Sequence, residues 1–296
     1  MPASSEPAAP EDGRAPARSL SGNGFVRHVR AFTLIELVVV IVLFALLASL
    51  LVPASAHTRP NSQAIQCLNN LRQMANAWQT YAEDNGSRIV SAYPNYGGFA
   101  GTWCAGNAES GGGSASYTYG GADPMGIQKG LLWNYTKSLG LYHCPTDHRS
   151  ADGSGVPSQF VGKPILRSIS MNSYMAGRSF GVNPTWVVTS PNGPQDPNHP
   201  VYLKDTEIKL PKQTWVLVDE DQDSINDGMF FVDVGGTYGF IDLPSRAHRF
   251  GYDICFADGH VEIDQFKDDA SKDWRIGLPG GLNDWMRFTN ITTHPL

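Results

Sequence analysis

The chain has 296 residues, of which 41% are hydrophobic, 10% aromatic and 17% charged, with 31 Gly and 20 Pro. That length suits one membrane segment plus one exported domain, and the composition excludes a helical bundle and a wholly disordered chain. The formal net charge of −6, with no basic patch interleaved with aromatics, excludes a nucleic-acid surface.

Residues 1–24 are rich in Pro, Ala, Ser and Gly without apolar periodicity, and read as disordered. An apolar run follows over 32–52, about 31 Å long as a helix and able to cross a hydrocarbon core. It carries one acid, Glu36. An ionised acid within a bilayer-spanning helix costs roughly 2.5–3.5 kcal/mol, less near the interface, so Glu36 calls for a reason. Snorkelling or an interfacial position is one reason. Arg14, Arg18, Arg27 and Arg30 precede the run, and the next basic residue is Arg59. This bias keeps the short N-terminal side cytoplasmic and exports the rest. Three fates compete: an uncleaved anchor, a secretory signal cut after the small-x-small triplet Ala54–Ser55–Ala56, and processing near Phe32.

After Pro53 and Pro60, where a kink or short break is expected, the segment 61–86 places Ile65, Leu68, Leu71, Ala75, Trp78 and Ala82 on one stripe. Asn85–Gly86 should end this helix in a left-handed turn. Residues 86–162 are turn-rich, with a Gly-rich, aromatic insert around Tyr93 to Tyr119. Residues 126–147 read as a short helix and an extended turn, "RSISMNSYM" as a strand start, and 190–200 as an exposed loop. "TWVLVDE" and "GMFFVDV" read as strands flanking an acidic hairpin loop. "YDICFADGHVEI" reads as a β-hairpin about Asp258–Gly259, whose central residues both tolerate positive φ. The fold class expected is α+β: a long N-terminal transmembrane helix running into a globular domain with a small antiparallel sheet.

Among candidate sites, Asp219, Glu220, Asp221, Asp223 and Asp227 place carboxylates at a spacing that can aim oxygens at calcium. The segment departs from an EF-hand at Ser224 and Phe230, and a solvated acidic loop explains it as well. The cysteines, Cys67, Cys104, Cys144 and Cys255, form no C-x-x-C, which excludes zinc-ribbon and thioredoxin-like motifs. A Cys104–Cys144 disulfide is a candidate in an oxidising compartment, and Cys255 reads as a buried free thiol. His248, Asp258 and His260 suggest metal or acid–base chemistry, against a plain turn role for Asp258. No G-x-S-x-G, H-E-x-x-H, Walker loop or G-x-G-x-x-G occurs, so catalysis is not expected.

"AFTLIEL" followed by an apolar helix resembles the prepilin signal, in which a dedicated peptidase cuts before the Phe and methylates its new amine. Counting from Phe32, Glu36 is fifth and Pro53 twenty-second, where pilins and pseudopilins usually carry them. Ala31 stands where the family usually has Gly. The spacing from His248 to Asp258–Gly259 resembles the H-X9-DG motif of prepilin-like proteins, as do "CLNNLRQMANAWQTYAEDNG", "YHCPTD", "RSISMNSYM" and "DSINDGMF". The resemblance implies cleavage between Ala31 and Phe32, N-methylation of Phe32, and pairing of Glu36 with a neighbouring subunit's terminal amine, which offsets the burial of both charges. It implies a structural role only for His248, Asp258 and Gly259.

The domains it implies are a cleaved leader over 1–31, a transmembrane helix over 32–52, the exported half of the helix over 53–85 and an exported globular domain over 86–296. Its partners would be prepilin peptidase, other pilin or pseudopilin subunits and an inner-membrane secretion or pilus assembly platform. The expected location is a single pass through the inner membrane with the C-terminal domain exported. The expected function is a pseudopilin-like subunit of a type II secretion or type IV pilus-like filament. The alternatives are a calcium- or glycan-binding, adhesin-like module using the Tyr93–Tyr119 insert, and a soluble secreted enzyme released at Ala56.

Overall fold

A computed structural model describes residues 33–93, 101–111, 118–153, 155–175, 200–232, 234, 239–273 and 281–294, with backbone only over 48–61. The chain divides into two units, Met1–Pro53 and Ala54–Leu296.

The first helix, α1 (Leu34–Asp84), is 51 residues long. Its start is fixed by a reciprocal cap. Glu36 Oε2 accepts hydrogen bonds from the Thr33 N–H (2.9 Å) and the Thr33 hydroxyl (2.8 Å), while Thr33 Oγ1 accepts from the Glu36 N–H at 3.4 Å. This is the Thr-x-x-Glu arrangement that satisfies otherwise orphaned N–H groups of a first turn. Every large apolar side chain described from Leu34 to Leu47 is exposed. Among the described residues no helix is long and apolar enough to cross a membrane. The helix expected to span over 32–52 lies partly outside them, at Phe32 and in the side chains of 48–52.

Of the kink or short break expected at Pro53 and Pro60, the break does not occur: α1 passes through both as helix. A proline removes one donor and crowds the preceding turn, which bends a helix more readily than it ends one. The predicted stripe is also adjusted. Leu71, Ala75, Trp78 and Ala82 are buried as expected, but Ile65 is 59% exposed and Cys67, Asn70 and Met74 take up the buried face. Gly86 and Ser87 close the helix at φ +64° and +67°, and the Ser87 N–H donates to the Ala82 carbonyl at 2.8 Å.

In the second unit five strands form one sheet, β1 (Ile169–Asn172), β2 (Trp215–Asp219), β3 (Met229–Phe230), β4 (Gly251–Phe256) and β5 (Val261–Gln265), in the order β3-β1-β2-β4-β5. The β1–β3 pair is parallel and the others antiparallel, so the sheet is mixed rather than purely antiparallel. Because β1 lies between β2 and β3, the acidic segment that joins them is a crossover and not the expected hairpin loop. The hairpin about Asp258–Gly259 is present, with Cys255 opposite Val261. Its loop spans 257–260, and there Gly259 alone has positive φ, +90°.

Alternation gives the sheet two covered faces. On one, Leu217 and Cys255 meet Leu71, Met74 and Trp78 of α1. On the other, Trp215, Val218, Tyr252, Ile254 and Phe256 meet Phe288 of α5 (Leu282–Asn290), which follows the single-turn α4 (Asp269–Lys272). A register shift between Trp215 and Leu217 marks a bulge in β2, which lets adjacent Val216 and Leu217 both join the α1 side. The stretch read as one short helix contains two, α2 (Met125–Gln128) and α3 (Trp133–Thr136), and a 3-10 turn at Leu139–Tyr142. The loop expected over 190–200 lies outside the described residues except Pro200.

Candidate functional site

The α1-facing side of the sheet carries a polar cluster within an otherwise apolar interface. Asp219 ends β2 on the same face as Leu217, and Asp253 lies on β4 on the same face as Cys255. The β2–β4 register, which pairs Leu217 with Cys255 and Val218 with Ile254, carries Asp219 opposite Asp253 at its next step. Cys67 approaches from α1. One turn on, the Asn70 side-chain amide donates to the carbonyls of Gly140 (3.0 Å) and His143 (3.1 Å), which holds α1 against the segment leading into Cys144. Cys144 is seated by its N–H, which donates to Ser168 Oγ at 2.7 Å, and by a turn in which the Asp147 N–H donates to the Cys144 carbonyl.

His248 arrives from the tight segment before β4. Its backbone exchanges hydrogen bonds with Gly251, at 3.2 and 3.1 Å, around Arg249 and Phe250, which both have positive φ. A Cβ at Gly251 would stand 3.0 Å from the His248 carbonyl oxygen and 2.9 Å from that of Asp264, so the close approach needs glycine.

These residues converge. One donor atom from each of Cys67, Cys144, Asp219, His248 and Asp253 lies within 4.8 Å of all the others, and all five residues are buried. His248 Nε2 is 3.3 Å from Cys144 Sγ, 2.9 Å from Asp253 Oδ2 and 3.9 Å from Asp219 Oδ2. Both the thiol and the near carboxylate therefore face one ring nitrogen. A nucleophile–base–acid relay instead uses the two different imidazole nitrogens, and this arrangement lacks that geometry.

Electrostatics follow from burial and crowding. The hydrogen bond from Cys67 lowers the Cys144 thiol pKa and raises that of Cys67. Burial pushes the Asp219 carboxyl well above its usual range, with Cys144 and Asp253 adding to the shift. Burial works against a charged His248, but the adjoining Asp253 carboxylate and Cys144 overcome it and raise His248 to about 10. A cavity of about 360 Å³ borders the cluster, lined by Thr146, Ser168, Asp219, Ser245 and Arg246 among others.

The sequence-predicted sites fare unevenly. His248 enters this cluster. Asp258 and Gly259 do not: Asp258 Oδ1 accepts from the His260 N–H at 3.1 Å in the hairpin loop, and Gly259 packs against the Gln79 side chain of α1. The Gln79 amide donates to the Ala257 carbonyl at 3.1 Å, so the Asp-Gly tip docks on the helix. His260 stacks on Phe256 at the sheet end, away from His248's partners.

The calcium expectation is corrected. Asp219 belongs to the Cys/His cluster, whereas Arg246 holds Asp221 through two bonds (2.8 and 2.7 Å) and Asp223 through one (2.7 Å). Asp227 Oδ1 accepts the Met229 N–H at 2.7 Å. A guanidinium stands where the sequence reading placed a cation, and the four carboxylates do not share a centre.

The Cys104–Cys144 disulfide is likewise corrected: both are free thiols. Cys104 is buried beside Gly228, where burial pushes its thiol up to about 11, while Cys144 faces Cys67 and His248. Cys255 is free and buried, as read.

Sequence reasoning missed Cys67 and Asp253, which sit far apart in the chain or within an alternating strand. It also missed the Thr33–Glu36 cap, although the pattern was there to be read. Ala31, Phe32 and most of the Tyr93–Tyr119 insert lie outside the described residues.

Residues 26–52 match the family model described as the prokaryotic N-terminal methylation motif. No curated protein and no solved structure matches the chain. The segment around Phe32 and Glu36 is a prepilin-type N-terminal motif.

Proposed function

We propose that this protein is a pilin- or pseudopilin-like subunit. Prepilin peptidase removes residues 1–31 and methylates Phe32. The helix over 32–52 then anchors the chain in the inner membrane, with residues 53–296 exported, and packs into a filament of a type II secretion or type IV pilus-like machine. The observation that carries this reading is the motif match over 26–52. The continuous exposure of apolar side chains from Leu34 to Leu47 supports it, because such a surface requires lipid or other helices as its neighbour.

Glu36 gains a second reason for its place. Its carboxylate caps α1 at Thr33, next in sequence to the Phe32 amine that cleavage exposes. The same acid can hold the first turn and neutralise a terminal ammonium, its own or a neighbour's. The variant Glu36→Gln separates the two tasks, since an amide oxygen still caps but carries no charge. We expect Glu36→Gln to be cleaved like the unmodified chain and to be recovered at least about tenfold less in sheared filament fractions, matching the loss of roughly 1.4 kcal/mol or more in subunit association. Recovery at the unmodified level would show that Glu36 serves the helix cap alone.

A further inference from the structure

The cluster of Cys67, Cys144, Asp219, His248 and Asp253 is difficult to explain as packing. Asp219 and Asp253 are 1% and 0% exposed and lie across from each other on neighbouring strands, where like charges destabilise a sheet. Asp219 Oδ1 and both oxygens of Asp253 make no aligned hydrogen bond among the described residues. The ion pairs these two acids form there are both with His248. Asp219 Oδ1 and Asp253 Oδ1 have no hydrogen-bond partner among the described residues, which is costly for buried carboxylates, and one oxygen of each acid lies within 4.8 Å of two sulfurs and a ring nitrogen.

A metal ion resolves each of these features. Zinc bonds of about 2.3 Å to sulfur and about 2.0–2.1 Å to nitrogen or oxygen, arranged tetrahedrally, place ligand atoms roughly 3.3–3.8 Å from one another. The Cys144 Sγ to His248 Nε2 distance of 3.3 Å is about 0.2 Å shorter than the roughly 3.5 Å of a zinc-bound sulfur–nitrogen pair. The His248 Nε2 to Asp253 Oδ2 distance of 2.9 Å is about 0.4 Å shorter than the roughly 3.3 Å of a nitrogen–oxygen pair. Small side-chain shifts close both gaps. Convergence of the thiol and the carboxylate on one ring nitrogen is what ligands of a common ion show. Mixed sulfur, nitrogen and oxygen donors favour zinc over the hard cations calcium and magnesium.

We propose that Cys67, Cys144, His248 and Asp253 bind one zinc ion, with Asp219 as a flanking carboxylate, and that this ion ties α1 to the sheet. The ligands come from α1, the turn after the 3-10 segment, the tight bend before β4, and β4 itself. The ion would therefore cross-link elements far apart in the chain without any local C-x-x-C signature. The bordering cavity meets the cluster at Asp219, so an ion entering from that side would pass this flanking carboxylate. The proposal is independent of the filament reading, because it concerns the second unit alone.

The full chain, purified in detergent under reducing conditions, loaded with zinc and then dialysed, should retain about one zinc per chain by elemental mass spectrometry. Loaded with cobalt instead, it should show the visible bands of a tetrahedral ion and a near-ultraviolet thiolate charge-transfer band. The variant Cys144→Ser should lower that band to roughly half, one of two thiolates being lost, and weaken zinc binding more than about 100-fold, beyond the effect of altering an outer-shell partner. Asp223→Asn, outside the cluster, should bind zinc as the unmodified chain does. Less than about 0.1 zinc per chain after loading, or a Cys67–Cys144 disulfide in protein isolated without reductant, would overturn the proposal. The cobalt spectrum of the unmodified chain decides the matter even if a variant fails to fold.

Discussion

Replacing Trp215 with Ala should cost about 3–5 kcal/mol of stability, the range for emptying a fully buried Trp site. Trp215 is 0% exposed at the centre of the outer sheet face. Its ring lies 5.5 Å from that of Phe230 at an interplanar angle of 88°, and 5.0 Å from that of Phe288. Its indole N–H donates to Thr292 Oγ1 at 2.9 Å, and its carbonyl accepts from the Asn172 amide, which also reaches the Thr292 carbonyl. Truncation therefore opens a cavity and removes one of the bonds that seat the residues just after α5. For a chain of this size the midpoint of thermal unfolding should fall by roughly 6–20 °C. A fall below about 3 °C in a circular-dichroism melt, outside that expected span, would mean that α5 does not depend on this face.

Arg246→Ala should cost about 3 kcal/mol, because it leaves Asp221 buried without its counter-ion. The Asp221 side chain is 6% exposed and that of Arg246 18%, so water screens the pair poorly. Arg246→Lys should recover little, since a point charge cannot reproduce two parallel bonds to one carboxylate. The double variant Arg246→Ala/Asp221→Ala should be more stable than Arg246→Ala alone, a sign that the orphaned acid carries much of the cost. Millimolar calcium should leave the melting of the unmodified chain unchanged. A calcium-dependent rise there would restore the acidic segment as a calcium site and contradict the Arg246 assignment.

Local patterns in the sequence carried much of this architecture. The apolar run, the 61–86 helix and the hairpin about Asp258–Gly259 follow from periodicity and turn chemistry within a few dozen residues. What escaped was set by distant partners. β3 pairs in parallel with β1 rather than with β2, and nothing within "GMFFVDV" encodes that choice. Ile65 and Cys67 both suit an apolar stripe, but the loop carbonyls that bind Asn70 fix which side of α1 turns inward. The acidic segment looked like a cation site because Arg246, its counter-ion, lies 25 residues beyond Asp221 and 23 beyond Asp223. Asp253 reads as the polar member of an alternating strand until the opposite face of the sheet is seen to be buried too. Of the buried Cys/His/Asp cluster, spacing singled out His248 and Asp219, the latter with other partners than those it has.

The measurement that tests the account most directly is the N-terminus of the protein recovered from native membranes, read by mass spectrometry of its first peptide. A first residue of methylated Phe32 is the predicted result. A chain beginning at His57, cut after Ala56, or one that keeps residues 1–31 in cells with active prepilin peptidase, would contradict it.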